Sequence, residues 1–300
     1  LKDITIKIAS GETIGIIGGT GSSKTTLVSL IPRLYDVMAG SVRVGGIDVR
    51  QIPLATLRAQ LGYVPQRAFL FTGTIASNVG YGGDDIDDER ILNAIDIAQA
   101  TDLVQGKEDG LDAEITQGGT NVSGGQRQRV SIALALMLSP RLVIADEPVS
   151  ALDVTIQAQI LYLMNELKKE LGTSILFITH DLGVINQMAD DVAVMYCGQV
   201  VEMSPRRTIF SDPEYMHPYT EGLFNSIPRL DTDVNSRLDS IPGAVPHPLD
   251  LPKGCKFAPR CKYCTQKCID EEPDLVQVNE QQQIRCFYPR KEDRHVTAGK

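Results

Sequence analysis

The chain has 300 residues, enough for one large domain or a medium domain with an appendage, and its 42% apolar content can bury a sizeable core. A net charge of -9, no Trp and few aromatics weigh against a nucleic-acid surface, which needs basic excess and stacking rings. No apolar run approaches the ~20 residues that span a bilayer, and no export signal is visible.

In chain order, residues 1–8 alternate like a strand, and the chain starts there at Leu1, so an upstream segment is expected. A β-branched run at 14–17 ends in the Gly-rich GGTGSSKTT, and helical spacing follows Lys24 to a point near Pro32. SVRVGGIDVR reads as a hairpin about Gly45 and Gly46, and LGYVPQ as a strand entering a loop. Residues 68–138 are mostly helical and carry the acidic loop GGDDIDDER. RLVIAD and TSILFIT are buried-type strands flanking an amphipathic helix at Val154–Leu171. A helix from Leu182 and the strands DVAVMY and GQVVEM, with Cys197 on a strand as a core residue, complete a mostly parallel α/β pattern. Beyond Ser204, Pro and polar residues increase, periodicity fades and a loop-rich tail is expected. His217 reads as a packing or capping residue.

Gly18, Gly19, Thr20, Gly21, Ser22, Ser23, Lys24 and Thr25 lie between a strand and a helix, the context a phosphate-binding loop needs. Backbone N–H groups there cradle an anion. Lys24 reaches β- and γ-phosphates, and Thr25 ligates Mg²⁺. Ser23 departs from the pattern G-x-x-x-x-G-K-[ST]; its Cβ crowds the phosphate or costs ~1–2 kcal/mol if the backbone is left-handed. Asp146 closes an apolar strand, where it holds Mg²⁺ through water, and Glu147 stands where a general base for water belongs. Ser123, Gly124 and Gly125 open a second helix that offers N–H groups to a phosphate. Since one loop already serves the phosphates, this start suits another subunit's nucleotide; alternatively, Ser123 is a plain N-cap.

These motifs, in this order, resemble the nucleotide-binding subunit of an ATP-binding cassette (ABC) transporter over about residues 1–205. They are the P-loop 18–26 including Thr26, the Q-loop Gln66, the signature 122–126 ending in Gln126, the Walker B strand Leu142–Asp146 with Glu147, the D-loop 150–153 and the switch His180. The resemblance implies a P-loop NTPase ABC ATPase fold: a RecA-like core sheet, a helical subdomain at about 68–138, and a C-terminal cysteine-rich extension at 206–300. It implies that Gln66 contacts Mg²⁺ and the water and couples to a membrane subunit. It further implies that His180 meets the γ-phosphate and that Ser123 and Gly125 reach a partner's ATP. The signature begins with Val122 where the family has Leu, and the adenine-stacking aromatic of the family lies upstream of the first strand.

The two halves resemble different branches. Residues 1 to about 125, with LFTGTIASNVGYG, resemble exporter cassettes; ALMLSPRLVIADEPVSALDVTIQAQIL and the tail HPYTEGLFNSIP and GCKFAPRC resemble oligopeptide and dipeptide importer ATPases. Clustered cysteines without an export signal suit a metal or cluster better than disulfides. The importer likeness implies a [4Fe–4S] cluster on Cys255, Cys261, Cys268 and Cys286; zinc is the alternative, and Cys264 competes as a ligand. The implied partners are a second ABC ATPase subunit (homo- or heterodimer), integral-membrane permease subunits and, for an importer, an extracytoplasmic substrate-binding protein, with no nucleic acid. The implied place is the cytoplasmic face of the cell membrane. The competing readings are an exporter-type module and a non-transporting or inactive ATP-binding protein.

Overall fold

Continuous apolar runs become the strands that place the site. A computed structural model describes residues 1–82, 86–150, 152–211, 213–227 and 240–294. Part of the acidic loop (83–85), Ala151 of the D-loop and the linker stretch 228–239 lie outside the described residues. The chain divides into two units: Lys7–Ile14 with Thr25–Thr179, and Leu1–Ile6 with Gly15–Lys24 and His180–Lys300.

In the first of these units, strands Leu61–Val64, Leu142–Asp146 and Ser174–Ile178 run parallel, with Leu61 opposite Leu142 and Asp146 opposite Ile178. Val143, Ile144, Ala145 and Phe177 are fully buried, as expected of strands covered on both faces. A Cβ on Gly62 would lie 2.3 Å from the Ala135 carbonyl oxygen, so helix Gly124–Met137 approaches the strand as closely as backbone allows. The region 68–138 is helical as expected, with helices Ile75–Val79, Asp88–Ile97, Thr101–Gln105 and Gly124–Met137. Arg129 donates to Asp102 Oδ1 at 2.7 Å and fastens two of them. The expected hairpin forms with Arg43–Val44 against Ile47–Asp48, and Gly45 and Gly46 both take the positive φ of its turn. Helix Val154–Leu171 has the expected bounds. Asp153 caps its start by accepting from Ile156 N–H, and left-handed Gly172 closes it.

In the other unit, strands Asp191–Tyr196 and Gln199–Pro205, which no helix separates, pair antiparallel. Their turn is made by Cys197 (φ 46°) and Gly198 (φ 75°), so Cys197 is a partly buried turn residue and not the strand residue expected. Residues 1–8 form no strand; Lys2 N–H donates to the Gly198 carbonyl instead. The tail adds structure that its sequence did not announce. Val276–Asn279 and Gln282–Ile284 extend the antiparallel ladder, with Ile284 opposite Glu202. Fully buried Glu202 accepts from His217 N–H (2.8 Å) and Gln282 Nε2 (3.0 Å), and burial raises its pKa to about 7. Ile17, Ile185, Val194, Tyr196, Tyr219 and Phe257 share one apolar core.

Candidate active site

Strand Thr13–Ile17 delivers the chain into the Gly-rich loop, and helix Lys24–Ser29 follows it. Gly18 has φ 155°, and a Cβ there would sit 2.3 Å from the Met195 carbonyl oxygen, so glycine is required for this approach. Lys24 Nζ folds back over the loop, donating to Gly18 O (2.7 Å), Gly19 O (3.2 Å) and Ser22 Oγ (3.4 Å). Gly19 N–H donates to the Tyr219 hydroxyl oxygen at 2.7 Å. Thr20 and Gly21 are exposed, while Ser22 is buried.

Ser23 is left-handed, with φ 68°, which is the strained alternative anticipated for this departure from glycine. A left-handed Cβ costs about 1–2 kcal/mol, and glycine's greater unfolded freedom returns about 0.5–1 of that. Ser23→Gly is therefore expected to stabilise the protein by about 0.5–1 kcal/mol in urea unfolding. An unchanged midpoint would mean that strain at Ser23 is no larger than the about 0.5–1 kcal/mol that glycine's unfolded freedom costs.

Within the unit that holds Thr25–Thr179, two side-chain pairs join residues that the sequence singled out. Thr25 Oγ1 donates to Asp146 Oδ2 at 2.6 Å, and Asp146 is 2% exposed at the end of its strand. The hydroxyl and carboxylate oxygens so paired are the hard donors that Mg²⁺ takes. Thr26 next to Thr25 is exposed. Burial, and then the charge of Asp146, raise the pKa of Tyr63. In the second pair, Gln66 Nε2 donates to Glu147 Oε2 at 3.3 Å. Glu147 holds a left-handed backbone (φ 49°), and its N–H donates to Ile178 O at 2.8 Å. Strain of this kind collects at functional positions. The exposed His180 stands two residues beyond strand Ser174–Ile178, in the unit that holds Gly15–Lys24.

Ser123 is an N-cap, as its alternative reading expected. Its Oγ accepts from Gln126 N–H while its own N–H donates to Gln126 Oε1. This box sets exposed Gly124 and half-buried Gly125 at the start of the helix. Sequence reasoning missed two supports. Arg127 Nη1 donates to Gly119 O and Val122 O, and Gln128 Nε2 donates to Pro65 O at 3.3 Å, next to Gln66. Nothing in the local pattern marks either one, because their partners are backbone carbonyls.

Cys255, Cys261, Cys268 and Cys286 line one small cavity with His217, Phe257 and Tyr288; Cys264 does not line it. Among the described residues, no three His, Cys, Asp or Glu side chains are grouped so as to hold a metal ion, which leaves the expected cluster without support from the side-chain placement. Burial raises the thiol pKa of Cys255, that of Cys261 to about 12 and that of Cys286 to about 11. His217 caps helix Pro218–Asn225, with Nδ1 accepting from Tyr219 N–H, as expected.

Residues 1–150 match the family model described as ABC transporter, and residues 201–268 match the one described as Oligopeptide/dipeptide transporter, C-terminal region. The oligopeptide transport ATP-binding protein AppD of Bacillus subtilis is 37% identical over 96% of this chain and 90% of its own. The di/tripeptide transport ATP-binding protein DppF of Pseudomonas aeruginosa is 34% identical over 96% of this chain and 89% of its own. The solved structure of a bacterial Atm1-family ABC exporter with ATP bound matches with TM-score 0.63 and 32% identity, over 66% of this chain and 35% of the exporter chain. By both length and identity of match, the chain belongs to the ABC transporter family, among its ATP-binding proteins.

Proposed function

We propose that this chain is the ATP-hydrolysing subunit of a peptide importer, working against a separate membrane permease from the cytoplasmic face of the cell membrane. The observation that carries the reading is the oligopeptide/dipeptide-type C-terminal region at 201–268, joined to an ABC transporter match at 1–150. No described helix is long and apolar enough to cross a membrane, so this reading assigns the pathway to permease subunits. Phe69, Phe71 and Tyr81 support a docking face just beyond Gln66: they are exposed, and Phe71 stacks on Tyr81 with centroids 4.8 Å apart. An extracytoplasmic binding protein would deliver the peptide.

The residues divide the chemistry as follows. Backbone N–H groups of 18–26, apart from that of Gly19, which Tyr219 engages, hold the phosphates, and Lys24 exchanges its loop carbonyls for β- and γ-phosphate oxygens. Thr25 and Asp146 would hold Mg²⁺, which neutralises phosphate charge when bound. Glu147 accepts the proton of the attacking water, Gln66 orients that water and His180 meets the γ-phosphate. Ser123 and Gly125 of the partner subunit would close the site, so ATP joins two copies and hydrolysis releases them. The match to an ATP-bound exporter favours a second reading, an exporter-type module with the same chemistry. The test is uptake of labelled peptide into right-side-out vesicles that hold the chain, its permease and enclosed ATP. Accumulation that vanishes with Lys24→Ala supports import, whereas outward transport selects the second reading.

The four cavity-lining cysteines would hold a [4Fe–4S] cluster, with zinc as the alternative. Backbone N–H groups of Phe257, Tyr263 and Tyr288 already point at Cys255, Cys261 and Cys286, the kind of hydrogen bonding that tunes thiolate clusters. When bound, a cluster supplies a cross-link of four chain positions and a one-electron couple. Anaerobically purified protein is expected to contain iron and show a visible sulfur-to-iron charge-transfer band. Zinc without iron reassigns the site, and protein free of both removes it.

A further inference from the structure

The Tyr219 hydroxyl stands 200 residues from the P-loop in sequence, yet it accepts the Gly19 N–H at 2.7 Å. The approach is close, since a Cβ on Gly19 would lie 3.3 Å from the same oxygen. Tyr219 is also held from behind. Its ring lies 4.7 Å from that of Tyr196 and 5.5 Å from that of Phe257. Phe257, in turn, lines the cysteine cavity, two residues from Cys255. A chain of packed rings thus runs from the cysteine-lined module to the backbone of the phosphate loop, all within one unit.

We propose that Tyr219 is a positioning residue for the P-loop, through which the packing of the cysteine-lined module sets ATP affinity. The proposal rests on the reading of 18–26 as the ATP site. Lys24 braces the loop from inside through Gly18 O and Gly19 O, but those bonds are the ones it exchanges for phosphate. The Tyr219 bond takes no part in that exchange and keeps the loop ordered before and after nucleotide arrives. A loop already ordered loses less freedom on binding, which favours affinity. One neutral hydrogen bond is worth about fivefold in an equilibrium.

The test uses the full chain. Tyr219→Phe removes the oxygen and keeps the ring, and it is expected to raise KM for ATP about three- to tenfold while kcat at saturating ATP stays within twofold. Hydrogen exchange on nucleotide-free protein is expected to show faster exchange in the peptide covering Gly19 alone, a readout that does not depend on global stability. Phe257→Leu, which loosens the ring behind Tyr219, is expected to raise KM by itself and to add no further rise to Tyr219→Phe. A KM rise below threefold for Tyr219→Phe overturns the positioning role. Multiplying effects of the two substitutions overturn the route through Phe257. Failure of the ATP-site reading itself would look different: Lys24→Ala would then bind ATP as the unaltered chain does.

Discussion

Glu147→Gln is expected to lower ATP turnover by roughly 10²–10⁴-fold, the usual contribution of a general base, with little change in ATP affinity. The substitution is a narrow one. Gln66 donates to Glu147 Oε2, and a glutamine offers an oxygen in the same place. The left-handed backbone of Glu147 is anchored by its N–H to Ile178 O, which the side chain does not affect. What is removed is the carboxylate beside the Gln66 amide that we propose as the proton acceptor. Phosphate release under saturating Mg·ATP reads the effect directly. A fall of less than tenfold would place the base elsewhere.

The second large effect is expected from Gly18→Ala. The added methyl would stand 2.3 Å from Met195 O and 2.9 Å from Ser22 Oγ, at a φ that side chains rarely adopt. The carbonyl belongs to strand Asp191–Tyr196 and cannot yield cheaply, so the loop must move by about an ångström. Overpacking of this kind costs about 1–3 kcal/mol, and an ångström of misplacement at a reacting centre costs roughly 10²-fold in kcat/KM. Gly62→Ala makes the comparison informative, because its methyl would meet Ala135 O at the same 2.3 Å, a clash between residues that are not part of the 18–26 loop. Both variants are expected to lose stability by urea unfolding, and only Gly18→Ala is expected to lose kcat/KM per folded molecule. Equal losses from the two would mean that Gly18 acts through stability alone.

The parts of the site that were legible in the sequence are those where local backbone geometry dictates residue type. A loop that approaches Met195 O requires Gly18, and the buried apolar strand Leu142–Asp146 ends on the carboxylate of Asp146. Helix Val154–Leu171 could be read to its last residue because Asp153 and Gly172 punctuate it. The tail was illegible for the opposite reason. Gln282 sits in a strand because Glu202, 80 positions earlier, needs its amide, and QVNEQQQI shows no alternation to say so. Cys197 read as strand because the run before it is apolar; only Gly198 marks the turn. The contact of Tyr219 with Gly19 joins two segments 200 residues apart, a relation no local period carries.

We propose a shared ATP site, with Lys24, Asp146, Glu147 and His180 from one copy and Ser123 and Gly125 from the partner. Light scattering of the Glu147→Gln protein with and without saturating Mg·ATP tests it most directly. Monomer mass is expected without nucleotide and twice that mass with it, reverting when Ser123→Arg blocks the helix start. Monomer mass at saturating Mg·ATP, with ATP bound, would contradict it.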